Sequence, residues 1–304
     1  MNDIVVYVSG FRKVYGDVVA VSGIDFEVRR GEIFGFLGPN GAGKTSTLEC
    51  LEGLRTPDGG SLQVAGVDPV GQFRRLRKMM GVQLQTSALP PNIRVDEVMN
   101  LVCAYHNVAP RWDLLERLDL TEKRSVQYHA LSSGQQRRLA IALAVAHNPR
   151  VLFLDEPTAG LDVASRVVLH DLLRQLKAAS TTIVLATHDM AEAERMSDRI
   201  AILLCGKIVA TGTPLEITAN GSGLSKVTVR TEDSCLANAE AAFPAVDRIL
   251  LKDDYAVYYS GNVGATVSAI IAFIEAKSDR LIDLRVERPS LEERFLEITN
   301  RGGQ

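Results

Sequence analysis

Residues 38–45 read Gly38-Pro39-Asn40-Gly41-Ala42-Gly43-Lys44-Thr45, and this stretch decides the fold. Gly38, Gly43, Lys44 and Thr45 occupy the four fixed positions of the phosphate-loop (P-loop) pattern. The stretch follows the apolar run 32–37 and precedes a helical pattern over residues 44–54, which is the context that the loop requires. The sequence therefore predicts the strand, loop and helix of an α/β nucleotide-binding fold.

The residue types of this loop explain how it would hold a nucleotide. Its glycines let backbone N–H groups turn inward around phosphates, and the following helix adds the partial positive charge of its N-terminus. Lys44 can then reach the β- and γ-phosphates, and the Thr45 hydroxyl is placed to ligate Mg²⁺. We expect ATP and Mg²⁺ as cofactors.

A second motif, Val151-Leu-Phe-Leu-Asp-Glu156, places two carboxylates after a buried strand. Ligands collect at the carboxyl ends of strands in α/β sheets, so Asp155 is expected to hold the Mg²⁺. Glu156 follows directly, where a carboxylate can polarise the water that attacks the γ-phosphate. The other interpretation, an Asp-Glu pair that only begins a loop, is disfavoured by the P-loop on the same chain.

The pattern around these motifs predicts an antiparallel entry followed by α/β alternation. Strands are expected at residues 4–8, 18–28, 32–37, 151–154 and 182–186, with a pair at 200–210, and helices at 44–54, 95–106, 133–147 and 163–177. A cluster of Gly212, Pro214, Asn220, Gly221 and Gly223 marks a domain boundary. We therefore expect a nucleotide-binding domain at residues 1–220, with a helical subdomain at about 88–150, and a second domain at residues 221–304.

The second domain has its own pattern. Strands are predicted at residues 225–230, 247–251, 256–260 and 281–287, helices at 235–243 and 265–276, and a closing amphipathic helix at 290–299. The order βαββαβ is that of a ferredoxin-like α+β domain. An irregular tail is the alternative, because short strands are poorly specified by one sequence.

Composition narrows the class of protein. The 304 residues favour two domains, and 46% hydrophobic with 23% charged residues is ordinary for a globular chain. The net charge of −3 gives no reason to expect nucleic acid as a partner. The apolar runs fall short of the ~18 residues of a membrane helix, and no secretory signal is visible, so a cytoplasmic protein is expected. Four well-separated cysteines are expected to be reduced and buried: Cys50, Cys103, Cys205 and Cys235.

The segment Leu131-Ser-Ser-Gly-Gln135 discriminates among nucleotide-hydrolysing families. It resembles the Leu-Ser-Gly-Gly-Gln signature of ABC ATPases and opens the predicted helix 133–147. Its N–H groups and the Ser132 hydroxyl could face a γ-phosphate. Read alone, the segment is also a plausible helix cap.

The ABC resemblance covers roughly residues 3–218 and implies roles for further residues. Gln85 matches the glutamine loop, Asp162 ends the segment that links two active sites, His188 matches the switch histidine, and Tyr15 matches the aromatic that stacks on adenine. Each of two residues also has a non-functional interpretation: Tyr15 could be a surface aromatic, and His188 could be a histidine whose hydrogen-bond partners lie within the protein. The resemblance implies two chains meeting head to tail, with each nucleotide between one P-loop and the opposing signature.

The expected site residues fall into three groups. Catalytic roles are predicted for Lys44, Glu156 and His188, and Mg²⁺ ligation for Thr45, Gln85 and Asp155. Nucleotide contacts are predicted for Tyr15, Gly38, Pro39, Asn40, Gly41, Ala42, Gly43, Lys44, Thr45, Ser46, Gln85, Ser132, Ser133, Gly134, Gln135 and Asp162. The implied fold is a P-loop ABC cassette with a mixed sheet core, an antiparallel β subdomain and a helical subdomain, plus the ferredoxin-like domain.

A subfamily of ABC ATPases is indicated by residues 289–296, which read Pro-Ser-Leu-Glu-Glu-Arg-Phe-Leu. They are similar to a stretch near the end of the ATP-binding subunits of daunorubicin-resistance-type drug exporters, with Arg294 in place of an apolar residue. This implies an exporter ATPase on the cytoplasmic membrane face, docked on a separate membrane permease. The surface after Gln85, including Leu89 and Ile93, is expected to receive the permease, unless these residues belong to the core.

Ser133 departs from the family pattern, which has glycine there, and adds a Cβ where backbone passes close to phosphate.

Three alternatives to an exporter subunit were considered. A soluble ABC ATPase with a non-transport role lacks the expected long coiled-coil insertion, and a GTPase lacks the Asn-Lys-x-Asp motif. An inactive ABC-like regulator has only Ser133 in its favour.

Overall fold

The computed structural model describes residues 3–86, 89–219, 224–236, 243–287 and 290–301. The chain forms two compact units, Met1–Pro214 and Leu215–Gln304. Among the helices of the described residues, none has the length and apolar character needed to cross a membrane.

A six-stranded mixed sheet forms the centre of the first unit. Its strands, in spatial order, are β5 (Met80–Gln83), β6 (Val151–Asp155), β7 (Thr182–Thr187), β3 (Ile33–Leu37), β8 (Arg199–Leu204) and β9 (Lys207–Gly212). All neighbours pair in parallel except β8 and β9. The central strands are buried on both faces, which is why they read as continuous apolar runs.

Alternate residues of these strands enter two different cores. Leu152 and Leu154 of β6 join the core beneath the helical segments, whereas Val151 and Phe153 join the core beneath a second sheet. The helices of this unit are α1 (Lys44–Leu51), α2 (Phe73–Leu76), α3 (Val95–Tyr105), α4 (Trp112–Arg117), α5 (Ser133–Val145), α6 (Val163–Ala178) and α7 (Met190–Met196), and 3-10 turns lie at Thr121–Lys123 and Tyr128–Ala130.

The second sheet is a three-stranded antiparallel layer. It has the order β2 (Val18–Arg29), β1 (Ile4–Tyr15) and β4 (Gly59–Val64). Its inward side chains, such as Val6, Val8 and Phe11, pack into the same core as Phe34 and Phe36 of β3. The antiparallel entry expected from the sequence is therefore present, next to the P-loop helix.

The second unit is an antiparallel sheet of order β11-β12-β10-β13. Its elements are α8 (Pro214–Ala219), β10 (Ser225–Thr231), β11 (Val246–Lys252), β12 (Tyr255–Ser260), α9 (Val263–Ala276), β13 (Leu281–Glu287) and α10 (Leu291–Arg301). α9 covers one face through Ile270 and Ile274, which pack with Val227 and Val229. The ferredoxin-like arrangement of strands is confirmed. Residues 237–242 of the helix expected at 235–243 lie outside the described residues. The predicted residues Asn220, Gly221, Gly223 and Pro289 also lie outside them.

Several element boundaries differ from the sequence expectation. β1 runs to Tyr15 instead of residue 8, because Gly10 with φ 59° allows the strand to continue through a bulge. The helices expected to end at residues 54 and 147 end at Leu51 and Val145. The short elements β4, β5, α2, α4, α7 and α8 were not predicted, since four to seven residues give little periodicity.

The cysteine expectation is partly wrong. Cys50 and Cys103 are buried, but Cys205 is exposed and Cys235 is half-buried; all four are free thiols. Cys205 lies in the tight turn between β8 and β9 with φ 47°, so its exposure follows from turn geometry rather than from hydropathy.

Candidate active site

The site lies at the carboxyl edge of the parallel strands. The P-loop follows β3, the carboxylates Asp155 and Glu156 end β6, His188 follows β7, and Gln85 follows β5. Because these strands are neighbours and parallel, their carboxyl ends meet along one edge of the sheet. The topology therefore brings together residues that are up to 150 positions apart, from Gly38 to His188.

The P-loop glycines are required by their surroundings. A Cβ on Gly38 would lie 2.3 Å from the carbonyl oxygen of Leu203, and one on Gly43 would lie 2.5 Å from that of Ala20. Gly43 also has φ 104°, outside the range of residues that carry a side chain. The fixed glycines are thus explained by close backbone approach, and α1 begins directly after them.

Lys44 is a buried cation at the N-terminus of α1. Its Nζ donates to the carbonyl oxygens of Gly38 at 2.7 Å and Pro39 at 3.1 Å, and lies 4.0 Å from Glu156 Oε1. Burial lowers the pKa of Lys44, against the raising effect of Glu156 and Asp155. A phosphate bound in the loop would give this partly desolvated cation an anionic hydrogen-bond partner.

Thr45 and Asp155, two of the three residues predicted to ligate Mg²⁺, are in direct contact. The Thr45 hydroxyl donates to Asp155 Oδ2 at 2.8 Å, and Asp155 Oδ1 is buried without a hydrogen-bond partner among the described residues. Burial raises the pKa of Asp155, so its ionised form has reason to take a cation. An orphaned carboxylate oxygen beside a hydroxyl fits Mg²⁺, which binds through one or two protein oxygens together with phosphates.

Glu156 and His188 are in direct contact. His188 Nδ1 lies 2.8 Å from Glu156 Oε2, while the imidazole is largely exposed and the carboxylate is buried. Glu156 has φ 51°, a left-handed conformation that residues other than glycine seldom adopt, and its N–H donates to the carbonyl of Ala186. The backbone thus turns sharply after Asp155 and aims the carboxylate at the space next to Lys44.

A buried polar network supports the loop that carries His188. The Thr187 hydroxyl donates to Glu192 Oε2 at 2.7 Å and accepts the N–H of Asp189 at 3.1 Å. Asp189 in turn caps α7 by accepting the N–H of Glu192. These contacts fix the backbone on the C-terminal side of His188.

Tyr15 stands at the outer wall of the cleft. Its ring lies 5.2 Å from Lys13 Nζ and 5.3 Å from the guanidinium carbon of Arg55, so two cations already interact with its π-system. Lys13 is held by an ion pair with Asp58 at 2.8 Å. Tyr15 is 36% exposed, which leaves ring surface on which a base could stack.

A cleft of about 450 Å³ connects these groups. It is lined by Tyr15, Val18, Val19, Ala20, Asn40, Gly41, Ala42, Gly43, Lys44, Thr45, Ser46, Gln85, Glu156 and Cys205. Gln85 is exposed here beside the loop. Cys205 was not predicted to line the cleft. Its place in a turn directly after a strand of this sheet was the signal that could have indicated it.

The signature segment lies apart from this cleft in the single chain. Within the described residues that line the cleft, none belongs to residues 131–135. Ser132 caps α5: its hydroxyl accepts the N–H of Gln135 at 3.3 Å, and the Gln135 side chain accepts the N–H of Ser132 at 3.0 Å. The cap reading is therefore realised, and it leaves the hydroxyl proton of Ser132 able to donate.

The remaining signature residues adjoin the segment that ends at Asp162. A Cβ built on Gly160 would lie 4.0 Å from the Ser133 hydroxyl, and one on Gly134 would lie 3.6 Å from the carbonyl oxygen of Gly160. Asp162 caps α6 by accepting the N–H of Ser165 at 2.7 Å, which lowers the pKa of Asp162. These residues face outward as an exposed group, separate from the P-loop of their own chain.

Two residues that sequence reasoning did not single out hold the motifs together. Arg137 donates to the carbonyl oxygens of Asp155, Glu156 and Gln85, and Gln83 Nε2 donates to the carbonyl of Asp155 at 3.1 Å. Arg137 is four residues after Ser133 on α5, so helical spacing could have placed it on the signature face. Gln83, a buried polar residue in a four-residue strand, gave no comparable signal.

This geometry defines the class of protein: a P-loop cassette whose buried lysine, hydroxyl and carboxylates surround the place of a nucleotide's phosphates. The ABC transporter family matches residues 21–159 of the chain. The Nod factor export ATP-binding protein I of Ralstonia nicotianae is 36% identical over 302 residues, covering 97% of this chain and 93% of that protein. The chain belongs to the ABC transporter ATP-binding proteins, a family that hydrolyses ATP.

One further relative matches nearly the whole chain, and two solved structures match about two thirds of it. The daunorubicin resistance ATP-binding protein DrrA3 of Streptomyces coeruleorubidus is 35% identical over 311 residues, covering 98% of this chain and 97% of that protein. A solved ATP-binding subunit of an ABC transporter has a TM-score of 0.66 at 26% identity, covering 70% of this chain and 91% of its own. A solved dimeric bacterial ABC transporter cassette has a TM-score of 0.62 at 26% identity, covering 68% and 98% respectively.

Proposed function

We propose that this ATPase is the energising subunit of an ABC exporter, acting on a separately encoded membrane permease that moves a drug-like or other hydrophobic substrate. The names of its relatives support export, since one is a Nod factor export protein and another a daunorubicin resistance protein. The permease would hold the chain at the cytoplasmic face of the membrane. Nothing in the ATPase itself specifies the cargo, because the cargo pathway would lie in the permease.

Two copies would complete the active sites. Ser132 and Ser133 of the signature segment are exposed and do not line the cleft at their own P-loop, so a second copy placed head to tail can bring its Ser132 to the γ-phosphate. The dimeric structure of a related cassette supports this arrangement. Ser133, Gly134, Gln135 and Asp162 would then lie at the interface between copies, and residues 221–304 would contribute to pairing.

The chemistry we propose follows from the buried groups. Lys44 and the N–H groups of the P-loop would stabilise the charge on the transferred phosphoryl group. Thr45, Asp155 and Gln85 would hold Mg²⁺, and the ion would neutralise phosphate charge. Glu156 would orient and polarise the attacking water, and His188 would hold the carboxylate through its 2.8 Å contact.

The observation that carries this proposal is the position of Glu156, buried between Lys44 and His188 at the cleft. Glu156→Gln keeps the size of the side chain and removes its basicity. We expect the variant to bind MgATP while turnover falls by roughly 10²–10⁴-fold. Because dimer opening would require hydrolysis, the variant should accumulate as an ATP-bound dimer detectable by light scattering.

Glu32 offers a matched control for this experiment. It is also a buried glutamate, but it lies before β3 at the opposite edge of the sheet, where it accepts the N–H of Arg29 and pairs with Arg199. Glu32→Gln should leave turnover close to that of the native chain. Hydrolysis at a near-native rate by Glu156→Gln would remove Glu156 from the reaction.

A groove on the helical side supports the proposed docking of a permease. It encloses about 410 Å³ and is lined by Arg77, Met80, Gly81, Val82, Leu84, Leu89, Val102, Tyr105, His106, Ala140, Leu143, Ala144 and His147. The described lining is apolar with one arginine and two histidines and contains no carboxylate, so an apolar helix with an acidic side chain fits it. Burial lowers the pKa of His147 to about 4, which keeps this histidine neutral at physiological pH.

The docking residues expected from the sequence divide in two. Leu89 lines the groove and Ile93 is absent from its described lining, while both side chains pack against the core beneath the helices. We therefore assign the permease contact to Leu89, and Ile93 to the stability of the helical subdomain.

A further inference from the structure

Arg137 connects three motifs through hydrogen bonds to backbone carbonyls. Its Nη1 donates to the carbonyl oxygens of Glu156 at 2.8 Å and Asp155 at 3.2 Å, and its Nη2 donates to that of Gln85 at 3.4 Å. The guanidinium is half-buried, and burial lowers the pKa of Arg137. An arginine buried among carbonyls, with no carboxylate in direct contact among the described residues, is placed to hold backbone rather than to form an ion pair.

The backbone that it holds is the strained turn at the catalytic edge. Glu156 has a left-handed backbone, and its peptide groups are fixed on two sides: the N–H by the carbonyl of Ala186 in β7, and the carbonyl by Arg137. The Asp155 carbonyl receives a second donor, Gln83 Nε2. A conformation of this kind persists only where its surroundings determine it, so these donors set the direction in which Glu156 points.

The third contact reaches the segment between the two proposed binding surfaces. Gln85 lines the nucleotide cleft, and the preceding residue, Leu84, lines the groove proposed for the permease. The bond from Arg137 to the Gln85 carbonyl is the longest of the three and the most exposed. A displacement of this segment would therefore act on the same guanidinium that holds Glu156.

We propose that Arg137 is a positioning residue, which fixes the backbone of Asp155 and Glu156 from α5. This rests on the proposed role of Glu156 in preparing the water. Arg137 touches neither nucleotide nor Mg²⁺ in this scheme, so its loss should lower turnover and leave nucleotide affinity intact.

The neighbouring Arg138 gives a matched control on the same helix. Its Nη1 donates to the carbonyl of Leu118 at 2.8 Å and to Asp119 Oδ2 at 3.1 Å, both within the helical region. The test compares Arg137→Met, Arg137→Lys and Arg138→Met in the full chain, with kcat, KM, fluorescent ATP binding and the melting temperature as readouts. Lysine retains the charge but cannot serve two carbonyls in the fork geometry of arginine.

For Arg137→Met we expect kcat to fall at least ~10-fold, with KM and ATP affinity changed less than ~3-fold. Arg137→Lys should restore part of kcat, and Arg138→Met should keep kcat near the native value even if its melting temperature falls. Native kcat in Arg137→Met, or equal losses of kcat in Arg137→Met and Arg138→Met, would overturn the proposal. If Arg137→Met does not fold, Arg137→Lys decides alone: native kcat overturns the proposal, and a lower kcat at unchanged KM supports it.

The double variant Arg137→Met with Glu156→Gln separates this proposal from the one on which it rests. Action through Glu156 predicts that Arg137→Met adds little to the loss already caused by Glu156→Gln. Multiplied losses would show that Arg137 acts elsewhere. Near-native turnover in Glu156→Gln alone would remove the catalytic role of Glu156 itself, and that result is read independently of Arg137.

Discussion

Ser133 shows how one side chain can depart from a family pattern without loss of the local structure. It is the first residue of α5 and is exposed, and its hydroxyl lies beside Gly160, where there is space for it. The neighbouring donors remain: Ser132 keeps its hydroxyl proton, and Gly134 has no Cβ that would displace backbone. The added Cβ therefore extends from the helix start without changing the direction of the N–H groups.

From this geometry we expect Ser133→Gly to change turnover by less than about tenfold, equivalent to ~1.4 kcal/mol in the activation barrier. Glycine at the first helical position also raises the flexibility of the segment, which opposes any gain from the smaller side chain. Steady-state ATPase rates of the full chain, with Ser132→Ala measured alongside, would check this. A hundredfold gain would show that Ser133 impairs the native protein.

At the residue scale, the residues that would contact nucleotide and Mg²⁺ could be predicted from the sequence. The residues that hold them in place through hydrogen bonds could not. Thr45 and Asp155 were predictable because a hydroxyl and a carboxylate have fixed places in known loops, and the structure places them 2.8 Å apart. The roles predicted for all site residues, including Lys44, stay predictions that substitutions must test. Arg137 and Gln83 were missed because their partners are carbonyl oxygens, which every residue has and no sequence pattern marks.

At the scale of elements, α1 carries the P-loop at one end and an unusual buried acid at the other. Glu52 follows the last helical residue and is 1% exposed, and neither carboxyl oxygen has a hydrogen-bond partner among the described residues. Burial, with smaller effects from Asp155 and Glu49, raises the pKa of Glu52 to about 8. The protonated acid is thus the form that the folded chain prefers at neutral pH.

The sign of the resulting pH dependence is fixed. The ordinary pKa is 4.5 and the folded value is about 8, so between these values the unfolded chain has released a proton that the folded chain keeps. Stability is therefore fully present below about pH 4.5, falls as pH rises through this window, and changes no further above the folded pKa. At ~1.4 kcal/mol per unit, the loss from Glu52 between pH 5 and pH 8 is on the order of 3 kcal/mol.

Glu52→Met should remove this contribution, because methionine has similar length and no titratable group. We expect the free energy of unfolding of the variant to increase relative to that of the native chain as pH rises from 5 to 8, so that the variant becomes relatively more stable. Urea unfolding of both chains at the two pH values measures the difference directly. An offset between the chains that does not vary with pH would mean that Glu52 is ionised or solvated in the folded protein.

Elements with strong periodicity or buried apolar runs were predicted to within a few residues, as β6, β7 and α6 illustrate. β5 could not be predicted, because four residues between two polar turns carry no period. α4 is similar: six residues beginning with Trp112 become a helix because Leu114 and Leu115 enter the helical core. Tertiary burial, rather than local propensity, decides these short elements.

At the scale of the whole molecule, the first unit presents two surfaces with different chemistry. The nucleotide cleft is polar and lies at the carboxyl edge of the sheet, and the groove that contains Leu89 is largely apolar and lies between β5, α3 and α5. The segment 83–85 adjoins both surfaces. A partner bound in the groove would therefore meet the same strand end that contributes Gln85 to the cleft.

Leu89→Asp tests whether this groove receives the permease. A buried carboxylate at an apolar contact carries a desolvation cost of several kcal/mol, so we expect the variant to lose co-purification with the membrane protein encoded beside it. ATP hydrolysis by the isolated chain should be retained, because Leu89 is not among the described residues that line the nucleotide cleft.

Leu101→Asp is the matched control, since Leu101 is 61% exposed on α3 and does not line the groove. Because Leu89 and Ile93 both pack against the core, either aspartate should lower the melting temperature, and Ile93→Asp, outside the groove, measures how far that destabilisation alone affects complex formation. Undiminished complex formation by Leu89→Asp, or equal losses in Leu89→Asp and Leu101→Asp, would show that the permease docks elsewhere.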